Sequence, residues 1–348
     1  MTAPAPQVFG TLPDGREVTA HTLTAPGGPV LRILDLGATV QALHLPDRAG
    51  GPGTNVVLGH PDAAGCAAPP EAFLGAVVGR YANRIAGARF DLDGRTVDLA
   101  ANEGGNTLHG GPDGFHRRTW QVVDVRPDRL VLELVSPDGD QGFPGRLTVR
   151  AEYRVTGRTV TLDLQARTDA PTVVGLASHV YLNLAGEGSG SIEDHLLTVD
   201  ADHYLPVDPD GLPTGGPAPV AGTPLDLTTA ARLGERMRSE HPQTVAAGGI
   251  DHSFHLRGTG LRAAARLEHP ASGRSVELWT DQPGLQVYTG NALDGAITGT
   301  GGRSYPRGAG LALEPQRHPD SPNRPELSDP VLRPGETYRS RTEWRFRR

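Results

Sequence analysis

Apolar and polar residues alternate one by one through the middle of the chain. Leu147, Val149, Ala151, Tyr153 and Val155 fall on one side of an extended segment, with Thr148, Arg150, Glu152 and Arg154 on the other. After a break at Thr156-Gly157-Arg158, Val160, Leu162, Leu164 and Ala166 alternate with Thr161, Asp163, Gln165 and Arg167. A period of two is that of a strand, whose successive side chains point to opposite faces. The two runs predict an antiparallel hairpin with one buried and one wetted face. Leu130, Leu132 and Leu134 repeat the pattern, as do Val276 and Leu278 ahead of Trp279. Turn clusters such as PDG, DGR, PGG and SGR punctuate the chain. One helix is predicted, over residues 228–240 (TTAARLGERMRSE), where a threonine cap precedes good helix formers and only Gly234 opposes them. Many short strands and few helices predict an all-β protein, a large antiparallel β-sandwich with few short helices. Neither a repeat nor a separating linker interrupts the pattern, so residues 1–348 are expected to form a single domain, with the Pro- and Gly-rich stretch 208–224 as an ordered loop.

Composition narrows the partners. The 348 residues can bury a sizeable core without a disulfide or a metal. Gly 46 and Pro 31 are numerous but not periodic, and apolar runs separate them. A net charge of −7, from 33 basic and 40 acidic residues spread along the chain, gives no basic stripe for a nucleic acid. No apolar stretch approaches the length of a membrane span. Cys66 is the only cysteine, which rules out an internal disulfide and favours a reducing compartment. The opening MTAPAPQVFG has neither a basic n-region nor an apolar h-region, so no secretory signal is expected and the cytoplasm is the expected location. Every basic residue is arginine. The absence of lysine excludes Schiff-base catalysis, a pyridoxal-phosphate anchor and the lysine of a P-loop.

The candidate chemistry therefore rests on other side chains. HExxH, CxxC, GxSxG and a strand-borne GxGxxG are all missing. His252 and His255 in DHSFH would share a helix face, but on a strand their spacing puts them on opposite faces, which weakens a metal reading. In Gly310-Leu311-Ala312-Leu313-Glu314-Pro315-Gln316, Leu311 and Leu313 share one face, and Ala312 and Glu314 the other. Pro315 is expected to end the ladder and leave Glu314 at the tip of a buried strand. A carboxylate there needs a partner or a task, and a strand-end salt bridge to an arginine stands beside catalysis as an explanation. His179, in Leu176-Ala177-Ser178-His179-Val180-Tyr181-Leu182-Asn183-Leu184, is placed by alternation on the face of Tyr181 and Asn183; a hydrogen-bonded structural histidine is the plainer reading. His109 precedes Gly110-Gly111, where backbone can approach something closely. Arg84 in GRYANRI and Asp251 in GGIDH are further polar points in Gly-flanked segments.

Eight segments, in order from about residue 79 to 323, resemble the landmarks of the aldose 1-epimerase (galactose mutarotase) family: GRYANRI, NTLHGG, SHVYLNLAG, DHYLPVD, GLPTGGPAPVAGTPLDL, GGIDHSFHL, PGLQVYTGN and LEPQRHPDSPN. The resemblance implies a galactose mutarotase-like β-sandwich, in agreement with the alternation. It implies Glu314 as catalytic base and His179 as catalytic acid. It implies that Arg84, His109 and Asp251 hold the sugar's hydroxyls and ring oxygen, with Asn83, Gln286, Tyr288 and Asn291 as further pocket residues. Two departures bear on substrate preference. Ser178, Val180 and Leu182 replace the family's usual neighbours of the histidine, and Asn102-Glu103-Gly104-Gly105-Asn106 replaces an Asn-Gly-Pro-Asn pattern, adding a charge at Glu103 that faces either solvent or a sugar.

The implied reaction is exchange of sugar anomers through ring opening, rotation about C1–C2 and reclosure, with a free monosaccharide as partner, no cofactor and no metal. It needs two groups that can each give and take a proton, which Glu and His can do. Arg84 would stabilise charge on oxygen, and Trp279, Tyr181 or Tyr288 would offer the sugar an apolar wall. Three alternatives stay open. A hexose-phosphate 1-epimerase would need convergent arginines, with Arg303, Arg307 and Arg317 as candidates. A carbohydrate-binding protein of the same fold would need no acid and base together. A glycoside hydrolase would pair Glu314 with Asp251. Either a monomer or a homodimer is compatible with these features.

Overall fold

The computed structural model describes residues 5–46, 53–68 and 72–347. The predicted hairpin is present: Leu147–Thr156 pairs antiparallel with Thr159–Thr168 across a turn at Gly157, where φ is positive. Its odd-numbered positions from Leu147 to Val155 are buried, while their neighbours stay partly or fully exposed. The hairpin lies within a nine-stranded antiparallel sheet. Arg129–Ser136 flanks it on one side, and Tyr338–Arg347 and Arg274–Thr280 flank it on the other. A six-stranded sheet runs in the order Tyr181–Leu182, Leu311–Gln316, Gly284–Tyr288, Asp251–Leu256, Ala201–Tyr204 and Ala218–Pro219. A five-stranded sheet is formed between Gln7 and Asn55.

One continuous apolar core joins these layers. It contains Val149, Ala151 and Tyr153 from the large sheet, Leu285, Val287, Leu311 and Leu313 from the six-stranded sheet, and Leu31 and Ile33 from the five-stranded one. The inner face of the six-stranded sheet is therefore spent on the core. Alternation leaves its other face, with Ala312 and Glu314, for something else.

Helices are short, as expected, and the predicted one is shorter than its sequence suggested. The 228–240 stretch is helical only over Leu233–Met237, and its N-cap is Arg232, without a side-chain cap bond. Thr228 instead gives its hydroxyl to Asp226, and Ala231–Arg232 adds to the edge of the large sheet. Sheet pairing outweighed helix propensity there. A second helix, Pro242–Ala247, starts at a proline in its first turn and is capped by His241. The 208–224 loop is ordered by its own side chains: Asp208 accepts from the N–H groups of Asp210 and Leu212, and Arg324 donates to Pro213 and Gly215 carbonyls. No helix among the described residues is long and apolar enough to cross a membrane.

Candidate active site

Strand register assembles the site. On the outer face of the six-stranded sheet, Tyr181 lies opposite Ala312, Ala312 opposite Tyr288, and Tyr288 opposite Asp251. One residue pair further along, Glu314 lies opposite Gln286 and Gln286 opposite Ser253. Two cross-strand rows thus bring four of the expected residues together by pairing alone. Pro315 does not end the strand, which continues to Gln316 with Pro315 opposite Leu285. The neighbouring Tyr181–Leu182 strand reaches only Leu311 and Ala312, so a proline at 315 interrupts no ladder on that flank.

A cavity of about 510 Å³ opens over this face. Glu314 and His179 are both buried in its wall, with Glu314 Oε1 3.6 Å from His179 Nε2. Among the described residues Glu314 pairs with no arginine; its Oε2 and the Nδ1 of His179 are buried without a hydrogen-bond partner there. Both plainer readings are thereby set aside: the strand-end salt bridge for Glu314 and the hydrogen-bonded structural role for His179. Burial, with the nearby charge of Asp251 second, raises the Glu314 carboxyl well above its usual range. Burial lowers His179 to about 4. Both shifts favour the uncharged forms, a protonated Glu314 and a neutral His179.

His109 and Arg84 arrive on another pair of short strands. Thr107–Leu108 pairs with Arg84–Ile85, placing Leu108 opposite Arg84. Gly110, which follows His109, lies so close to the carbonyl of Gly79 that no side chain would fit. Nδ1 of His109 accepts the N–H of Asn83 at 3.1 Å, so the neutral ring carries its proton on Nε2. Burial first, then the neighbouring groups of His179 and Arg84, hold this imidazole well below its ordinary value. Asn83 lines the cavity, and its side-chain oxygen accepts the N–H of Arg84. Asp251 also lines it, raised by burial, with Gln286 Nε2 donating to its Oδ1 at 2.6 Å.

Several expectations need correction. Gln286 does not line the cavity; it stands behind Asp251 and orients it. Asn291 lines the wall, but its amide is engaged with Ala247 and Ile250 carbonyls and the Thr289 hydroxyl, so it ties down the loop that carries Asp251. Trp279 is on the large sheet beneath the guanidinium of Arg345 and takes no part in the cavity. Asn183 turns to the carbonyls of Gly190 and Ala309, because the strand ends at Leu182 and the alternation does not carry past it. The aromatic wall is made by Tyr181, Tyr288 and Phe73. Phe73, which sequence reasoning missed, has a positive φ and stacks near His109 and His179, with ring centroids at 4.6 and 5.8 Å. No local pattern in EAFLGA signals this, since the position depends on backbone strain and long-range packing. Val245 and Gly248, which were also missed, line the cavity together with Arg307.

Of the three arginines considered for a phosphate, only Arg307 reaches the cavity, and it donates to the Gly248 carbonyl; Arg303 donates to Gly188 instead. His252 and His255 lie on opposite faces of their strand, as the spacing predicted: His252 is buried against Gln243 and His255 is exposed beside His318.

The aldose 1-epimerase family model matches residues 19–345. The chain belongs to the aldose 1-epimerase family. It is 40% identical over 340 residues to the galactose mutarotase of Homo sapiens, covering 97% of each chain. It is 40% identical over 344 residues to the aldose 1-epimerase of Escherichia coli (strain K12), covering 96% of each. The crystal structure of galactose 1-epimerase from Lactobacillus acidophilus NCFM superposes with a TM-score of 0.87 at 28% identity, over 100% of this chain and 99% of that one. As a member of this family, the chain is an isomerase acting on carbohydrates.

Proposed function

We propose that the chain interconverts the α and β anomers of free aldohexoses such as galactose or glucose, with Glu314 as base and His179 as acid. The observation that carries this reading is the buried Glu314–His179 pair, 3.6 Å apart, facing a cavity ringed by hydrogen-bonding side chains. Glu314 takes the proton of the C1 hydroxyl as the C1–O5 bond breaks, and O5 takes a proton from His179. The product is an open-chain aldehyde beside a protonated Glu314 and a neutral His179. Rotation about C1–C2 presents the other carbonyl face, and the two transfers run backwards to close the ring. Burial favours the neutral pair, which is the charge state required at the open-chain stage. The ionised pair needed to start holds the same number of protons and differs only in the position of one, which sits on His179 instead of Glu314. His109 Nε2–H and Arg84 supply donors to sugar oxygens, Asp251 accepts from a hydroxyl, and Tyr181, Tyr288 and Phe73 cover the apolar faces of the ring.

Polarimetry of freshly dissolved α-D-galactose and α-D-glucose tests the function. Rotation decays faster with the purified protein than in buffer; equal decay rates across a panel of aldoses would overturn it. The pH dependence of kcat/KM gives a second check. His179 stays neutral down to about 4, so the free enzyme shows no inflection at 6.5, the ordinary histidine value. Activity falls instead as pH rises through the elevated value of Glu314, where the pair loses its proton. An acid limb centred on the ordinary histidine value would contradict the assignment of His179.

A further inference from the structure

Glu103 was the charge that the sequence left without a task. The chain turns back on itself here, with Asn106 N–H donating to the Glu103 carbonyl at 2.8 Å and Glu103 N–H donating in return at 3.2 Å. Gly104 and Gly105, between them, both have positive φ, the conformation that a two-residue hairpin turn requires and glycine adopts freely. Both ends are pinned. Asn102 exchanges two hydrogen bonds with the backbone of Leu108, and Asn106 Oδ1 accepts the N–H of Gly87. Leu108 is in turn paired opposite Arg84. The turn therefore carries the Glu103 carboxylate to the Arg84 guanidinium, where Oε2 meets Nε at 2.6 Å and Oε1 meets Nη2 at 2.8 Å.

This bidentate grip occupies Nε and Nη2 and leaves Nη1 without a hydrogen bond among the described residues. Gly211 packs so closely on the guanidinium that a Cβ there would lie 2.8 Å from its central carbon. Arg84 is held edge-on by one group and face-on by the other, with one nitrogen left for a ligand. Both Arg84 and Glu103 line the cavity.

We infer that Glu103 is a positioning residue that locks Arg84 so that Nη1 is presented to a sugar hydroxyl. This rests on the mutarotase reading above. A planar guanidinium gripped by a carboxylate loses little further freedom on binding, so the benefit appears in ground-state affinity. Its charge is also balanced by Glu103, which suits a hydrogen-bond clamp better than a freely acting cation.

The test is a double-mutant cycle in steady-state mutarotation kinetics with galactose, using Glu103→Ala, Glu103→Gln, Arg84→Met and the double variant. Glu103→Ala is expected to raise KM about tenfold with kcat within about threefold of the parent. Glu103→Gln, which keeps one acceptor, should have a smaller effect. In the Arg84→Met background Glu103→Ala should add nothing to KM. An unchanged KM in Glu103→Ala would overturn the inference, as would an equal rise in the Arg84→Met background. A parent protein that does not accelerate mutarotation would refute the functional reading instead, so the two failures are distinct.

Discussion

Replacing Glu314 with glutamine is expected to lower kcat about a thousandfold, within the range that general acid–base groups contribute. The amide has the shape of the carboxylate but cannot accept a proton from the C1 hydroxyl and return it. The same variant is expected to be more stable than its parent near neutral pH. Burial raises the folded carboxyl well above its usual range. A group with a raised folded value stabilises the protein below its unfolded value and loses that contribution as pH rises through the folded one. At neutral pH the unfolded glutamate is freely ionised while the folded one is held in a site that resists its charge. A neutral amide removes this mismatch. Polarimetry and urea unfolding on the same preparation check both halves. A fully active variant would refute the base assignment, and a large loss of stability would show that the carboxylate is structural.

This opposition between stability and chemistry explains what was legible in the sequence. Alternation gave the hairpin of residues 147–168 directly, because one face of those strands meets the core and the other meets water. It also separated Leu311 and Leu313 from Glu314, since a period of two holds wherever a strand is regular. It carried from His179 to Tyr181, which meet at the cavity, but failed at Asn183, just past the end of a two-residue strand. Family landmarks supplied Arg84, His109 and Asp251, whose convergence depends on pairings far apart in the chain. They did not separate residues that face the cavity from those behind it, so Gln286 was placed one layer too far forward, while Asn291 lines the wall with its amide already engaged. Phe73 escaped because a strained aromatic residue in a loop leaves no periodic trace. Glu103 was visible as a departure, but only its distance to Arg84 distinguishes a solvated charge from a clamp.

The second large effect concerns acid. Ten histidines among the described residues have lowered values, with burial the leading cause in every one. His179, His195 and His252 are held at about 4 and His318 at about 3. Geometry supports the direction. His195 Nε2 accepts the N–H of Leu184, and Nδ1 is 3.1 Å from the Ile192 carbonyl. His252 Nδ1 accepts the N–H of Asp251, with Nε2 3.1 Å from the Gln243 side-chain oxygen. His109 likewise accepts the N–H of Asn83. Protonating any of these rings sets two donors against each other. A lowered folded value means that stability is complete above the unfolded value, 6.5, and is lost as pH falls toward the folded one. A histidine held at about 4 gives up about 3 kcal/mol across that window. The raised carboxyls of Asp251, Glu314 and Asp320 act in the opposite sense over part of it, but they are three against ten. Against a typical stability of about 5–15 kcal/mol, several such losses together destabilise the fold as pH falls below 6.5. The urea midpoint is therefore expected to decline as pH falls below 6.5, with uptake of several protons on unfolding. A midpoint unchanged down to about pH 5 would show that these histidines are not held neutral by the fold.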